Sequence, residues 1–384
     1  MSQLALRALL LVACVAFTGC VHSYASEPPL EFADLPYTSV QGQPWEVKQL
    51  ELTQVGAKYK LGSYDHVAYV ELNPKGERTL LFLHGLGSYL KFWRYQLDAA
   101  AAQGYRVLAF DQLGYGKSDK PAEFPYSMDA MAEVVDEFME KTGTPSAVLV
   151  GNSMGGEVSM ATALQFPQRV EAMVLVSPAG FEKFSRREKE WFVHAFSAAF
   201  VKSATEYGVW GSVRGANFSR WQKDYEWLIE ERVRLVKAKQ FDPYAYAQVR
   251  SVDGLAHNDF VRDSLGKIET PTLIVFGQED RLIPNAYLHG GWARTEMSWG
   301  AKQIKGAQLV GLDHCGHLLQ MDCHDELNPK MFEFIAALPP KAKPAQVEPP
   351  AAEVLPLPRE RVPEGRVRAH RTASASARDY TKRQ

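Results

Sequence analysis

The stretch Ala147-Val148-Leu149-Val150-Gly151-Asn152-Ser153-Met154-Gly155-Gly156 decides how this chain is read. Ala147–Val150 is a short apolar run of strand length, and the residues from Met154 to Gln165 have helical spacing. A serine stands between them, two residues from a glycine on either side. It sits in a tight strand-to-helix corner, where Gly151 and Gly155 leave room for backbone that a side chain would strike. The N–H groups that open the helix point at this corner and favour negative charge there. Ser153 is therefore a candidate nucleophile, because a hydroxyl becomes one when a neighbouring base takes its proton.

Working outward, the same alternation repeats. Thr79–Leu83, Arg106–Phe110, Ala147–Val150 and Ala172–Val176 are short apolar runs, with helical segments over Tyr89–Gln103, Ser127–Lys141 and Met154–Gln165 between them. The pattern resumes at Thr272–Phe276 and Gln308–Leu312 and closes with a helix over Asp325–Ala337. Trp45–Val55 and Tyr64–Leu72 read as two further β-segments ahead of the first run. Continuous apolar strands alternating with amphipathic helices predict an α/β fold, a mostly parallel, doubly wound sheet covered on both faces. Residues 45–180 and 263–338 form this core. Residues 181–262 interrupt it as a helical insert, a cap. The cap holds 16 aromatic residues in 82 positions. Most fill the interior of a small subdomain, and some line an apolar pocket beneath it.

Two later loops carry groups that could activate Ser153. Gly277-Gln278-Glu279-Asp280 follows the run Thr272–Phe276 and offers two carboxylates. Asp313-His314-Cys315-Gly316-His317 follows Gln308–Leu312 and offers two imidazoles. The crowding of His314, Cys315, His317, Cys323 and His324 raises a metal site, but no spacing matches a zinc pattern, and none is expected. The loop Asp111–Asp119 is rich in glycine, yet it lacks the rest of a dinucleotide or phosphate-loop pattern and reads as a tight turn. No cofactor is expected.

In this order, the residues HGLGS (84–88), DQLGYGKSD (111–119), GNSMGG (151–156), GQEDRLIP (277–284) and CGH (315–317) resemble the α/β-hydrolase superfamily over roughly residues 45–338. The resemblance implies a chain order of nucleophile, acid and base. It selects Asp280, through the spacing Gly277-x-x-Asp280-x-x-x-Pro284, and His317, through Cys-Gly-His. It also implies backbone oxyanion donors at Leu86 and Met154, with His84 bracing its loop. Serine at 153 argues against epoxide hydrolases and haloalkane dehalogenases. Lipases, carboxylesterases and meta-cleavage C–C hydrolases share the remaining features. The continuation Gly87-Ser88-Tyr89 and the presence of Leu318 after His317 depart from the C–C hydrolase pattern and favour an ester substrate. The rivals are a C–C hydrolase, an acyltransferase and a non-catalytic envelope protein of the same fold. The stretch His289–Ala301 is longer than the resemblance leads one to expect.

The 384 residues carry a formal net charge of −2, which points away from nucleic acid as a partner. The first 20 residues combine Arg7 with an apolar run from Ala8 to Phe17, too short for the ~20 residues of a membrane span, and read as an export signal. Phe17-Thr18-Gly19-Cys20 resembles a bacterial lipobox, which implies lipidation at Cys20, a membrane anchor and outer-membrane residence. Cleavage after Ser23-Tyr24-Ala25 is the alternative and would leave a periplasmic or secreted protein. Residues 21–44 read as a tether. Cys315 and Cys323 would meet an oxidising compartment, where a disulfide can form, and spacing leaves their pairing open. Residues 339–384 are rich in proline, with ten Lys/Arg against five Asp/Glu. This tail is expected to be disordered and suited to anionic envelope polymers.

Overall fold

A computed structural model describes residues 23–340, except Asn258 and the side chain of Val193. Cys20, the export signal and the tail beyond Pro340 lie outside the described residues.

The apolar runs become β1 (Val47–Glu51), β2 (His66–Leu72), β3 (Thr79–Leu83), β4 (Arg106–Phe110), β5 (Ala147–Asn152), β6 (Val170–Val176), β7 (Thr272–Gly277) and β8 (Gln308–Leu312). They join in one eight-stranded sheet of order β1-β2-β4-β3-β5-β6-β7-β8. β1 and β4 pair antiparallel with β2, and the other neighbours are parallel. β3, β5 and β7 are buried at every position, as strands covered on both faces must be. β4 and β5 flank β3 on opposite sides, so the direction of winding reverses there. The crevice beyond the C-terminal ends of β3 and β5 is where such sheets bind ligands.

The helices of the first half are α1 (Thr53–Tyr59), α2 (Arg94–Ala102), α3 (Met128–Lys141) and α4 (Met154–Gln165). α1 corrects the expected strand over Trp45–Val55, which ends at Glu51. The cause is a contact remote in sequence. The buried carboxylate of Glu137 on α3 accepts the N–H groups of Gln54 and Val55, each at 2.8 Å. These are donors that a helix start leaves unsatisfied.

The cap contains α5 (Arg186–Ala195), α6 (Ala198–Lys202), α7 (Glu206–Trp210), α8 (Trp227–Leu235), α9 (Phe241–His257) and α10 (Asp259–Ser264). Ser185 and Glu188 form a reciprocal capping box at the start of α5. Ser197 and Thr205 cap α6 and α7. Phe218, Trp221 and Tyr225 pack ring against ring, Phe218 to Trp221 at 5.1 Å between centroids, and fill the cap interior. Trp191, Phe200 and Tyr207 stay exposed.

Past β7, α11 (Ala293–Gln303) accounts for much of the long stretch before β8, and α12 (Leu319–Asp322) and α13 (His324–Ala336) close the fold. The expected tether is not loose over its described part. Leu30, Phe32, Leu35 and Tyr37 are buried, and this strap crosses cap and core alike. Phe32 packs on Tyr244 of α9, and the Tyr37 hydroxyl donates to Asp111 at 2.5 Å. Apolar side chains at alternate or near-alternate positions gave it something to bury, which a polar reading of the segment overlooked. No helix of the described residues is long and apolar enough to cross a membrane.

Candidate active site

Ser153 lies at the junction of β5 and α4 with φ 53° and ψ −119°, a backbone conformation that L residues rarely adopt. The corner is held from several sides. The Ser153 N–H donates to Val176 O at 3.1 Å, and its carbonyl accepts the N–H of Gly156, Glu157 and Ala179. A Cβ on Gly151 would meet Gly155 O at 2.3 Å, and one on Gly155 would meet Leu83 O at 2.1 Å. Both glycines singled out from the sequence are thus sterically required. Gly85, at the end of β3, lies so close that a Cβ on it would sit 3.2 Å from the Cβ of Ser153.

The two later loops converge at the same end of the sheet. His317 Nδ1 donates to Asp280 Oδ2 at 2.8 Å. The Asp280 side chain is 0% exposed and that of His317 5%. The other oxygen of Asp280 accepts the N–H groups of Leu282 and Ile283 at 2.8 and 3.1 Å, which fixes the carboxylate's orientation. Asn152, the residue before the serine, donates from Nδ2 to Val176 O and to His317 O at 3.0 and 3.4 Å, tying the histidine loop to the corner. The rival groups pair with each other instead. His314 Nδ1 meets Glu279 Oε1 at 2.9 Å on the surface, with His314 79% exposed. The nearby Ser219 hydroxyl, and after it the contact with His314, hold Glu279 below its ordinary carboxylate range.

Leu86 follows β3 in a loop fixed from below and above. From below, His84 Nε2 accepts the Gln112 N–H at 3.0 Å, so its Nδ1–H donates to Gly85 O at 2.8 Å. Burial pushes His84 down to about 4 against the opposing pull of the Gly85 carbonyl, which keeps the imidazole neutral. From above, the cap reaches the loop at Gly87, where φ is +68°. Arg232 Nη2 donates to Gly87 O at 2.6 Å, and Tyr244 of α9 adds a longer bond at 3.4 Å. Met154, whose N–H is the second candidate donor, is fully buried at the first position of α4.

Several residues here escaped the sequence reading. Asp322 is buried and accepts the N–H groups of Gly316, Ser219 and Arg220 at 2.7–2.8 Å, clasping the histidine loop to a cap segment. Arg232 and Asn152 act as described above. Asp322 and Arg232 belong to no short motif, and all three work through a backbone group distant in sequence. Cys315 and Cys323 form a disulfide, Cα to Cα 6.0 Å, so neither offers a thiolate to a metal. The bridge closes the loop that begins two residues before His317.

The comparisons with known proteins agree with this architecture. A family model described as alpha/beta hydrolase fold matches residues 78–204. The dihydrolipoyllysine-residue acetyltransferase component of the acetoin cleaving system of Cupriavidus necator is 30% identical over 260 residues, 66% of this chain and 62% of that protein. The chain thus spans less than two thirds of that relative's length. The 2-hydroxy-6-oxononadienedioate/2-hydroxy-6-oxononatrienedioate hydrolase of Paraburkholderia phymatum is 26% identical over 277 residues, 68% of this chain and 88% of that one. Among solved structures, a "probable hydrolytic enzyme" of Pseudomonas aeruginosa PAO1 aligns with a TM-score of 0.66 at 24% identity, covering 82% of this chain and 99% of that one. The chain has the α/β-hydrolase fold.

Proposed function

We propose that the protein is a serine hydrolase of carboxylic esters. Ser153 attacks the ester carbonyl, and His317 takes the hydroxyl proton and returns it to the leaving alcohol. Asp280 holds the imidazole in the tautomer that leaves Nε2 free for this exchange. The N–H groups of Leu86 and Met154 face the oxyanion, and water then hydrolyses the acyl-enzyme, releasing the acid and restoring Ser153. The observation that carries this reading is the buried Asp280–His317 pair, anchored through Asn152 to the strained corner that presents Ser153.

Labelling by a fluorophosphonate probe tests it. Wild-type protein is expected to label and Ser153→Ala not to. Labelling that persists in the variant sinks the reading, and a folded wild type that never labels favours the non-catalytic envelope protein. A panel of p-nitrophenyl esters of graded chain length then ranks acyl groups. The similarity to a hydrolase of dienedioate compounds supports a second reading, C–C bond hydrolysis. Turnover of a vinylogous diketone with little esterase activity would select it. Acyl transfer to an alcohol or thiol in preference to water would select an acyltransferase, a reading the acetyltransferase relative keeps open.

Export and lipidation at Cys20 complete the proposal, with residence in the outer membrane and the basic tail available to anionic polymers. Metabolic labelling with an alkyne fatty acid, lost in Cys20→Ser, checks the anchor. A free periplasmic protein beginning near Ser26 would support the alternative cleavage.

A further inference from the structure

The described chain begins on the cap, and this decides which side of the molecule an anchor would hold to a membrane. Ser23 Oγ donates to Glu206 Oε2 at 2.7 Å, and the N–H groups of Tyr24 and Ala25 reach the same carboxylate at 3.2 and 3.1 Å. Glu206 opens α7. The strap is then fixed along α8. Lys237 Nζ donates to Ala25 O at 2.9 Å, and Arg234 Nε to Pro28 O at 3.1 Å. With Leu30 and Phe32 buried further on, the segment is a rigid mount and not a leash.

Two residues, Val21 and His22, stand between Cys20 and Ser23, three steps along the chain. An extended chain covers at most about 3.5 Å per residue, so an anchor at Cys20 would leave at most about 11 Å of chain before Ser23, whose hydroxyl is bonded to Glu206 at the start of α7. The headgroup layer of one leaflet is about 5–8 Å deep. An acyl chain on Cys20 that reaches the hydrocarbon therefore brings α7 to the headgroups. The surface there suits that depth. Tyr207 is 88% exposed and Phe200, on the preceding helix, 60%. Aromatic rings, above all those with a polar tip, are at ease at this boundary. Charge does not drive the contact, since Glu206, Glu226 and Glu230 all face Tyr24. Tether length and rings do.

We propose that the protein lies cap-down on the lipid bilayer, with α6 and α7 at headgroup level and the N-terminal ends of the parallel strands turned away. Substrate then enters beneath the cap from the membrane, which makes amphipathic lipid esters the substrate class. This orientation rests on the proposed lipidation of Cys20, and the substrate class rests also on the proposed hydrolase activity.

The full chain, processed in a bacterial host and reconstituted in vesicles of phosphatidylethanolamine and phosphatidylglycerol, tests the orientation. A thiol-reactive fluorophore is placed at Tyr207→Cys or, in a separate protein, at Lys75→Cys in the turn before β3, and quenching by spin-labelled lipid is read. Quenching several-fold stronger at 207 than at 75 is expected. A long Gly/Ser spacer inserted after Val21 keeps the lipid and removes the mount, and should abolish that difference. Equal quenching at the two sites with the native spacing, or stronger quenching at 75, overturns the orientation. Cys20→Ser is read alongside. If it binds vesicles as wild type does, or if mass spectrometry finds no lipid on Cys20, the anchor reading and the orientation fall together. A failure of fluorophosphonate labelling would sink the hydrolase reading and leave the quenching result standing.

Discussion

The carboxylate of Asp280 accepts the Nδ1–H of His317 at 2.8 Å with both side chains almost wholly removed from solvent, while the neighbouring Glu279–His314 pair, at 2.9 Å, stands in water. Two acid–imidazole pairs thus occupy the same two loops at nearly the same separation. Only the buried one is shielded enough for the carboxylate to govern the ring's orientation and tautomer. Asp280→Asn is expected to lower kcat for a p-nitrophenyl ester by about 10⁴-fold, as loss of a triad carboxylate does elsewhere. Glu279→Gln should leave kcat within a few-fold. A reversed order of effects would reassign the acid.

Arg232 is a positioning residue, since it acts on the oxyanion loop through the carbonyl of Gly87 and touches no reacting atom. A hydrogen bond from a charged group contributes about 1.5–3 kcal/mol. Part of that loss should appear as a looser Leu86 N–H. Arg232→Met is expected to reduce kcat about 10-fold with KM little changed, and Arg232→Lys to recover part of it. Equal loss of stability in both variants without a kcat difference would reduce Arg232 to a cap–core clasp.

The Cys315–Cys323 bridge closes a short loop over His317 and Asp322. Chain-entropy arguments for a loop of this size give roughly 2–3 kcal/mol. The double variant Cys315→Ala/Cys323→Ala should therefore lose about that much unfolding free energy in urea, with the slope of the transition unchanged. A loss well under 1 kcal/mol would mean that Asp322 and the sheet hold the loop without the bridge.

His84 makes stability depend on pH in a direction that can be stated. Its folded pKa, about 4, lies below the ordinary 6.5 because the buried ring is held neutral. The stabilisation from the neutral form is thus fully present above pH 6.5 and is lost as pH falls from 6.5 toward 4, to a total of roughly 3 kcal/mol. Imidazole ¹⁵N shifts should show His84 in the Nδ1–H tautomer and unprotonated at pH 5.5. A ring that titrates near 6.5 would contradict the Gln112 contact.

A second titrating cluster lies where the loop beyond Asp280 meets the cap. His289 lies between Glu182 and Glu188, 3.0 Å from each. Burial drives Glu182 up to about 7, despite the Asn285 N–H and His289 pulling it down. For His289 itself burial acts downward, but the bonds and charges of the two glutamates outweigh it and raise the ring. Near neutral pH the cluster changes charge, and its two ends belong to the cap and to the stretch His289–Ala301 that the sequence left without an account.

Most of the sheet was legible without coordinates. Thr79–Leu83 and Arg106–Phe110 are strands over the residues expected, because a strand buried on both faces needs a continuous apolar run and little else resembles one of that length; Gln308–Leu312 is also the strand expected, but it lies at the sheet edge and buries only Leu312. The expected strand over Trp45–Val55 failed at its second half. Local propensity there yields to Glu137, which lies more than eighty residues away and offers a carboxylate to a helix start. The tether failed for a similar reason, since Phe32 and Tyr37 have their partners on the cap and on the Asp111 loop.

The sequence by itself determined the alternation of strands and helices and the serine at a glycine-lined corner. These follow from periodicity and from steric rules that act within a few residues. Only the tertiary structure decided that Asp280 and His317 are the buried pair, that the two late cysteines join, that Asp322 and Arg232 clasp the loops, and that the N-terminal strap mounts on the cap. Burial and backbone hydrogen bonding between remote segments set these outcomes. Neither quantity is a property of a residue and its neighbours along the chain.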